Sequence, residues 1–124
     1  MTIMEAIEAI DSLRKGNTYS DKEKILWLSA LDGMIKREII DTHEGGEDVA
    51  FSGYAETTPT DTVLLVPEPY SALYIRWLES KIDYANAEYD RYNNTITAFY
   101  DAYTQYKNYY NSTHRPKSTK ITNF

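Results

Sequence analysis

Only His43 and His114 offer an imidazole in this chain of 124 residues, and there is no cysteine. Thiolate metal sites and disulfides are therefore excluded. The run His43-Glu44-Gly45-Gly46-Glu47 approaches the zinc-protease helix motif. It carries Glu47 where the second histidine is needed, and two glycines where a helix must hold both ligands on one face. Asp41, Glu44, Glu47 and Asp48 can hold a divalent cation loosely, but their spacing is not that of an EF-hand. A solvated acidic loop at a helix end accounts for the same residues, and on that reading His43→Ala leaves the fold intact. No phosphate-binding glycine loop, dinucleotide fingerprint or nucleophile elbow is present. The sequence thus predicts no catalytic residue, no cofactor and no metal: not an enzyme but a binding protein.

The net charge of −6 opposes nucleic-acid reading, which needs a positive footprint to displace phosphate counterions. A hydrophobic content of 42% with 26% charged residues is that of a folded protein rather than a disordered one. No run approaches the ~18 apolar residues of a membrane span. The N-terminus has no basic, apolar leader, so a soluble protein made in a cytoplasm is expected.

The elements that must position any site are helical. Thr2 with Glu5, and Ser20 with Glu23, are capping-box patterns. Ile3, Ile7 and Ile10 follow the first at helical spacing, and Gly16-Asn17 ends that helix. Ile25, Leu28, Leu31, Ile35 and Ile39 follow the second, which is expected to run until Gly45-Gly46. On it, Asp32 and Lys36 have the spacing of a surface ion pair. Residues 44–69 hold most of the glycine and proline and read as a loop or arm. Within them Val63-Leu64-Leu65-Val66 has strand composition, so a small hairpin or an arm lying on a neighbour is expected.

From Ile75 the apolar positions Leu78, Ile82, Ala85, Tyr89, Tyr92, Ile96, Phe99, Tyr103, Tyr106 and Tyr110 follow a heptad without a slip. The unbroken register favours one continuous helix, with a turn at Asn93-Asn94 as the alternative. A helix over 70–110 would be about 60 Å long, against about 35 Å for a compact domain of this size. Either another chain covers the remainder or the helix is broken. Seven of the twelve tyrosines lie between Tyr89 and Tyr110. They make either an aromatic contact surface or a wide core with hydroxyls at its edge. Residues 1–110 form the single domain expected, mainly α, a small helical bundle with a long C-terminal helix. Residues 111–124 read as an extended tail, disordered when alone, whose removal after Asn111 is expected to leave the melting temperature nearly unchanged. Its basic residues Arg115, Lys117 and Lys120, with Phe124 as an apolar anchor, make it either an arm that folds on a partner or an untethered end.

Several segments together resemble small neck proteins of tailed phages. They are Leu31-Asp32-Gly33-Met34-Ile35-Lys36-Arg37-Glu38-Ile39-Ile40-Asp41-Thr42-His43, Leu65-Val66-Pro67-Glu68-Pro69-Tyr70, Tyr74-Ile75-Arg76-Trp77-Leu78, Ile82-Asp83-Tyr84 and Tyr109-Tyr110-Asn111-Ser112-Thr113-His114-Arg115-Pro116. The chain is similar over nearly its whole length to head-to-tail connector (adaptor) proteins of Gram-positive type phages and prophages. That resemblance implies a virion protein of the head-tail neck, present in the host cytoplasm during assembly. It would form a homo-oligomeric ring, commonly of twelve, bound to the portal protein on one side and a stopper or tail-completion protein on the other. DNA would pass through such a ring without specific binding, and an acidic lumen would repel it. Tyr103, Tyr106, Tyr110, Arg115, Lys117, Lys120 and Phe124 are the expected partner-binding residues. A cytoplasmic coiled-coil dimer serving as a scaffold or adaptor is the alternative that the heptad seam suggests.

Overall fold

Thr2 starts the first helix as its residue type predicts. The Glu5 N–H donates to Thr2 Oγ1 at 3.1 Å, and the Glu5 carboxylate accepts from the Thr2 N–H at 2.8 Å. Two more free donors at this helix start, the N–H groups of Ile3 and Met4, reach the carbonyls of Thr62 and Thr60, both at 3.0 Å. A segment distant in sequence therefore completes the cap. In the computed structural model, which describes residues 1–117, the helices are α1 (Ile3–Leu13), α2 (Asp21–Glu38), α3 (Ala72–Ala85) and α4 (Tyr89–Thr113). Short 3-10 turns occupy Ile40–Thr42 and Gly46–Asp48. The mainly α class and the long C-terminal helix are as expected.

Burial follows the apolar spacing. Ile3, Ile7 and Ile10 of α1, Ile25, Leu28, Leu31 and Ile35 of α2, and Leu73, Leu78 and Ile82 of α3 form one core. The helix α4 closes it with Phe99, Tyr103, Tyr106 and Tyr110. Leu13 and Leu26 stay exposed at the rim. The second helix stops at Glu38, earlier than the glycine pair suggested, because the Ile40–Thr42 turn takes over the chain direction.

The seam is not one helix. It folds back at Asn86-Ala87-Glu88, so α3 and α4 form an antiparallel hairpin, and Asn93-Asn94 lies inside α4. The turn satisfies the Asp83 and Tyr84 carbonyls near the end of α3. Glu88 N–H donates to Asp83 O at 2.9 Å, and Ala87 N–H donates to Tyr84 O at 3.0 Å, the paired bonds of a Schellman motif. Such a motif needs a left-handed residue, and Ala87 takes it with φ of 57°. Glycine is the usual occupant, so nothing in the sequence marks the break. The heptad register survives because both halves of the seam face the same core. Only Ala85 and Tyr89, flanking the turn, leave it for solvent.

Residues 49–71 are not an arm. Tyr54, Leu64 and Val66 are buried, and the Leu64 N–H donates to Met1 O at 2.9 Å. The run at Val63 makes a single bridge to Thr2 rather than a hairpin. The Pro67-Glu68-Pro69 stretch includes a cis bond before Pro69. The C-terminal boundary also moves. α4 continues through Thr113, and residues 114–117 lie along Thr42–Glu44 instead of hanging free. Glu44 N–H donates to Arg115 O at 2.9 Å and Lys117 N–H to Thr42 O at 3.0 Å, so an open backbone edge holds the tail's first residues.

A left-handed alanine costs roughly 1–2 kcal/mol that glycine avoids, partly offset by glycine's greater freedom in the unfolded chain. Ala87→Gly is therefore expected to raise stability by about 0.5–1 kcal/mol in chemical denaturation. A destabilised variant would show that the turn is not left-handed at this position.

Candidate functional site

Three polar clusters and one aromatic surface are the places where side chains of functional type converge. The deepest cluster centres on Asp32, which is fully buried rather than on the surface. Its carboxylate accepts the hydroxyls of Tyr54 at 2.5 Å and Tyr74 at 2.6 Å, and the Leu65 N–H at 3.1 Å. The Tyr74 hydroxyl in turn accepts the Val66 N–H at 2.8 Å. The expected partner, Lys36, turns to Asp41 and donates to Gly46 O at 2.7 Å. A charged surface pair at this spacing gains little, whereas the buried carboxylate gains three donors. Burial pushes the Asp32 carboxyl above the ordinary aspartate value although all three donors pull it down. The cluster binds two tyrosines and a loop to a helix, and every oxygen in it is engaged within the protein.

In a second cluster Arg14 reaches from α1 to Glu79 at 3.1 Å and Asp83 at 3.2 Å on α3. Thr95 of α4 adds its hydroxyl to Asp83 at 3.1 Å. Three helices are thus joined through one carboxylate, with Asp83 Oδ1 left unbonded. The third cluster brings together the two histidines that are distant in sequence, with ring centres 6.3 Å apart. Between them, Tyr110 stacks on His114 at 3.7 Å and takes His43 edge-on at 4.8 Å. His43 is buried, and its Nδ1–H donates to Ile39 O at 2.6 Å. The solvated loop expected for His43 is thus corrected: its ring fills the space between the Ile40–Thr42 turn and α4.

Of the expected contact residues, Tyr103, Tyr106 and Tyr110 lie in the core. The Tyr103 hydroxyl donates to Glu38 at 3.0 Å, and Tyr106 packs against Tyr70 and Tyr110. Burial raises the hydroxyl pKa of all three. Arg115 and Lys117 are exposed, with only their backbones engaged. Lys120 and Phe124 lie outside the described residues. Other tyrosines form the surface instead: Tyr84, Tyr89 and Tyr100 are 59%, 57% and 53% exposed. Tyr84 and Tyr100 stand beside the seam, where the heptad count passes over them, and Tyr89 is a heptad position that the turn leaves in solvent. With Trp77, Lys81, Tyr92 and Ile96, two of them line an open groove of about 350 Å³ on the α3–α4 hairpin. Among the described residues no group of three metal-ligating side chains converges, and no helix is long and apolar enough to cross a membrane.

No family model, no curated protein and no solved structure matches the chain.

Two outcomes are expected from these clusters. Because the folded state holds the Asp32 proton more tightly than the unfolded chain does, its contribution to stability is greatest at low pH. That contribution falls as pH rises from the ordinary aspartate value through the raised one. Urea denaturation of the wild type relative to Asp32→Asn should show this loss, at most about 1.4 kcal/mol per pH unit. A relative stability that climbs with pH would mean that the three donors outweigh burial. At the other end of the molecule, cutting the chain after Asn111 removes the His114 ring, the end of α4 and the two main-chain bonds to Thr42 and Glu44. It should lower stability by about 1–3 kcal/mol rather than leave it unchanged, as thermal melts of the two chains will reveal.

Proposed function

We propose that the chain is a structural subunit of a tailed-phage neck, a ring-forming connector between the portal protein and a stopper or tail-completion protein. The observation that carries an interaction role is the exposed aromatic surface of the α3–α4 hairpin. Large side chains with polar tips and few rotatable bonds suit contact with another protein, and contiguous exposed aromatics mark such sites. Sequence likeness supplies the context. The segments that resemble connectors are separate in the chain but meet in space. Asp32 takes the Leu65 N–H and the Tyr74 hydroxyl, and His43 packs on Tyr110 and pairs with Pro116. The likeness therefore falls on one packed unit. An acidic subunit is also compatible with a channel that lets DNA slide past.

A coiled-coil dimer drew its support from a seam too long for one domain. With the seam closed between α3 and α4 of the same chain, that support is gone. A connector meets a different protein on each side, and the hairpin groove and the basic Arg115–Lys117 end are two separate surfaces.

Co-expression with the portal protein encoded in the same genome, followed by electron microscopy, tests the proposal. A ring of additional density on the portal is expected, and a chain ending at Lys117 should lose attachment while keeping its melting temperature. Two-fold dimers that never join a portal would sink the neck reading. Full attachment by the shortened chain would remove Lys120 and Phe124 from it.

A further inference from the structure

Four cationic side chains among the described residues are withdrawn from full solvent exposure: Arg14, Lys24, Lys36 and Lys81. Arg14 sits on Glu79 and Asp83, Lys24 on Asp11 and Lys36 on Asp41. Lys81 has no carboxylate within ion-pair distance among those residues. Its Nζ lies 4.2 Å from the centre of the Trp77 ring, in the groove between α3 and α4. A ring face compensates a cation only in part, and less than an anion does. Burial accordingly lowers the Lys81 pKa with nothing opposing it.

The groove around this cation is built before any ligand arrives. Trp77 forms its floor and is fixed by an Nε1–H bond to Trp27 O at 2.8 Å and by the Phe99 ring at 5.0 Å. Of the other lining rings, Tyr84 and Tyr92 brace each other at 5.2 Å, and Tyr100 leans on Phe99 at 5.2 Å. Ile96 and the ring faces provide apolar area. Rigid aromatic walls lose little entropy on binding. On a chain of net charge −6, the groove offers an anion a half-buried cation that no carboxylate pairs with among the described residues.

We propose that the α3–α4 groove docks a partner protein through a segment that carries a carboxylate flanked by apolar side chains. The carboxylate pairs with Lys81, and the apolar neighbours lie against Trp77, Tyr92 and Tyr100. The groove needs no phage context for this role, so it stands or falls separately from the neck reading.

A random twelve-residue peptide display library, selected on the full chain, tests the proposal. Enriched peptides should share an aspartate or glutamate beside an aromatic or aliphatic residue. A synthetic copy of the best one should bind about tenfold more weakly to Lys81→Gln and to Tyr100→Ser, the loss expected for one charged hydrogen bond or one aromatic contact. Lys81→Arg should restore most of the affinity, and binding should weaken as salt rises. Circular dichroism melts check that each variant keeps its fold, and Tyr100, being exposed, serves where Lys81 variants prove unstable. Enriched peptides without carboxylates, equal affinity for the folded variants, or no enrichment would each overturn the proposal. So would self-association that Tyr100→Ser abolishes, since a second copy would then occupy the face.

Discussion

A single buried carboxylate holds the irregular part of this chain to its helices. Asp32 stands on α2, yet its bonds run to Tyr54 and Leu65 in the long loop and to Tyr74 on α3. Removing a carboxylate from water is costly, and the protein offsets that cost with three donors from three segments. The consequence is positional: Val66 is set by the Tyr74 hydroxyl, Leu64 bonds to Met1 O, and Thr62 and Thr60 then lie where they cap the start of α1. The loop packs against the helices because one charge demands partners.

Asp83 plays a related part at the other end of the bundle. It links Arg14 of α1 with Thr95 of α4 just before the chain reverses. Its own carbonyl accepts the Glu88 N–H of the turn. Side chain and backbone of one residue thus fix both the packing of the hairpin and the geometry of its bend. Apolar burial supplies most of the stabilisation here as in other small bundles, while the two aspartates choose which arrangement of helices is compatible with satisfied charges.

The helices and their inward faces were legible from spacing and caps. Thr2 and Glu5 bond as a capping box, and the seam from Ile75 to Tyr110 marks Leu78 and Ile82 of α3 and all the buried positions of α4. The bend between them was not legible, because a heptad count continues across any turn that keeps both halves facing one core. Ala87 adopts a glycine's conformation without a glycine's signature. Asp32 was misread for a different reason: an aspartate four residues before a lysine looks like a surface pair, and only the fold brings two tyrosine hydroxyls to it. The candidate surface was legible in composition alone. Tyrosine abundance is visible in the sequence, but the heptad count favoured Tyr103, Tyr106 and Tyr110, which the core takes, over Tyr84 and Tyr100, and it gave no sign that Tyr89 beside the turn faces solvent. The tail was judged by its polarity, which says nothing about a backbone edge at Thr42–Glu44 waiting for a strand.

The helix α4 has 25 residues, about 37 Å at 1.5 Å per residue. Its first turns border the aromatic groove, and its last turn delivers the chain to the Thr42–Glu44 edge with Arg115 and Lys117 exposed. The core along Phe99, Tyr103, Tyr106 and Tyr110 keeps this rod from bending independently of the rest. The groove and the exposed Arg115–Lys117 end are thus held at a fixed distance and rotation from each other.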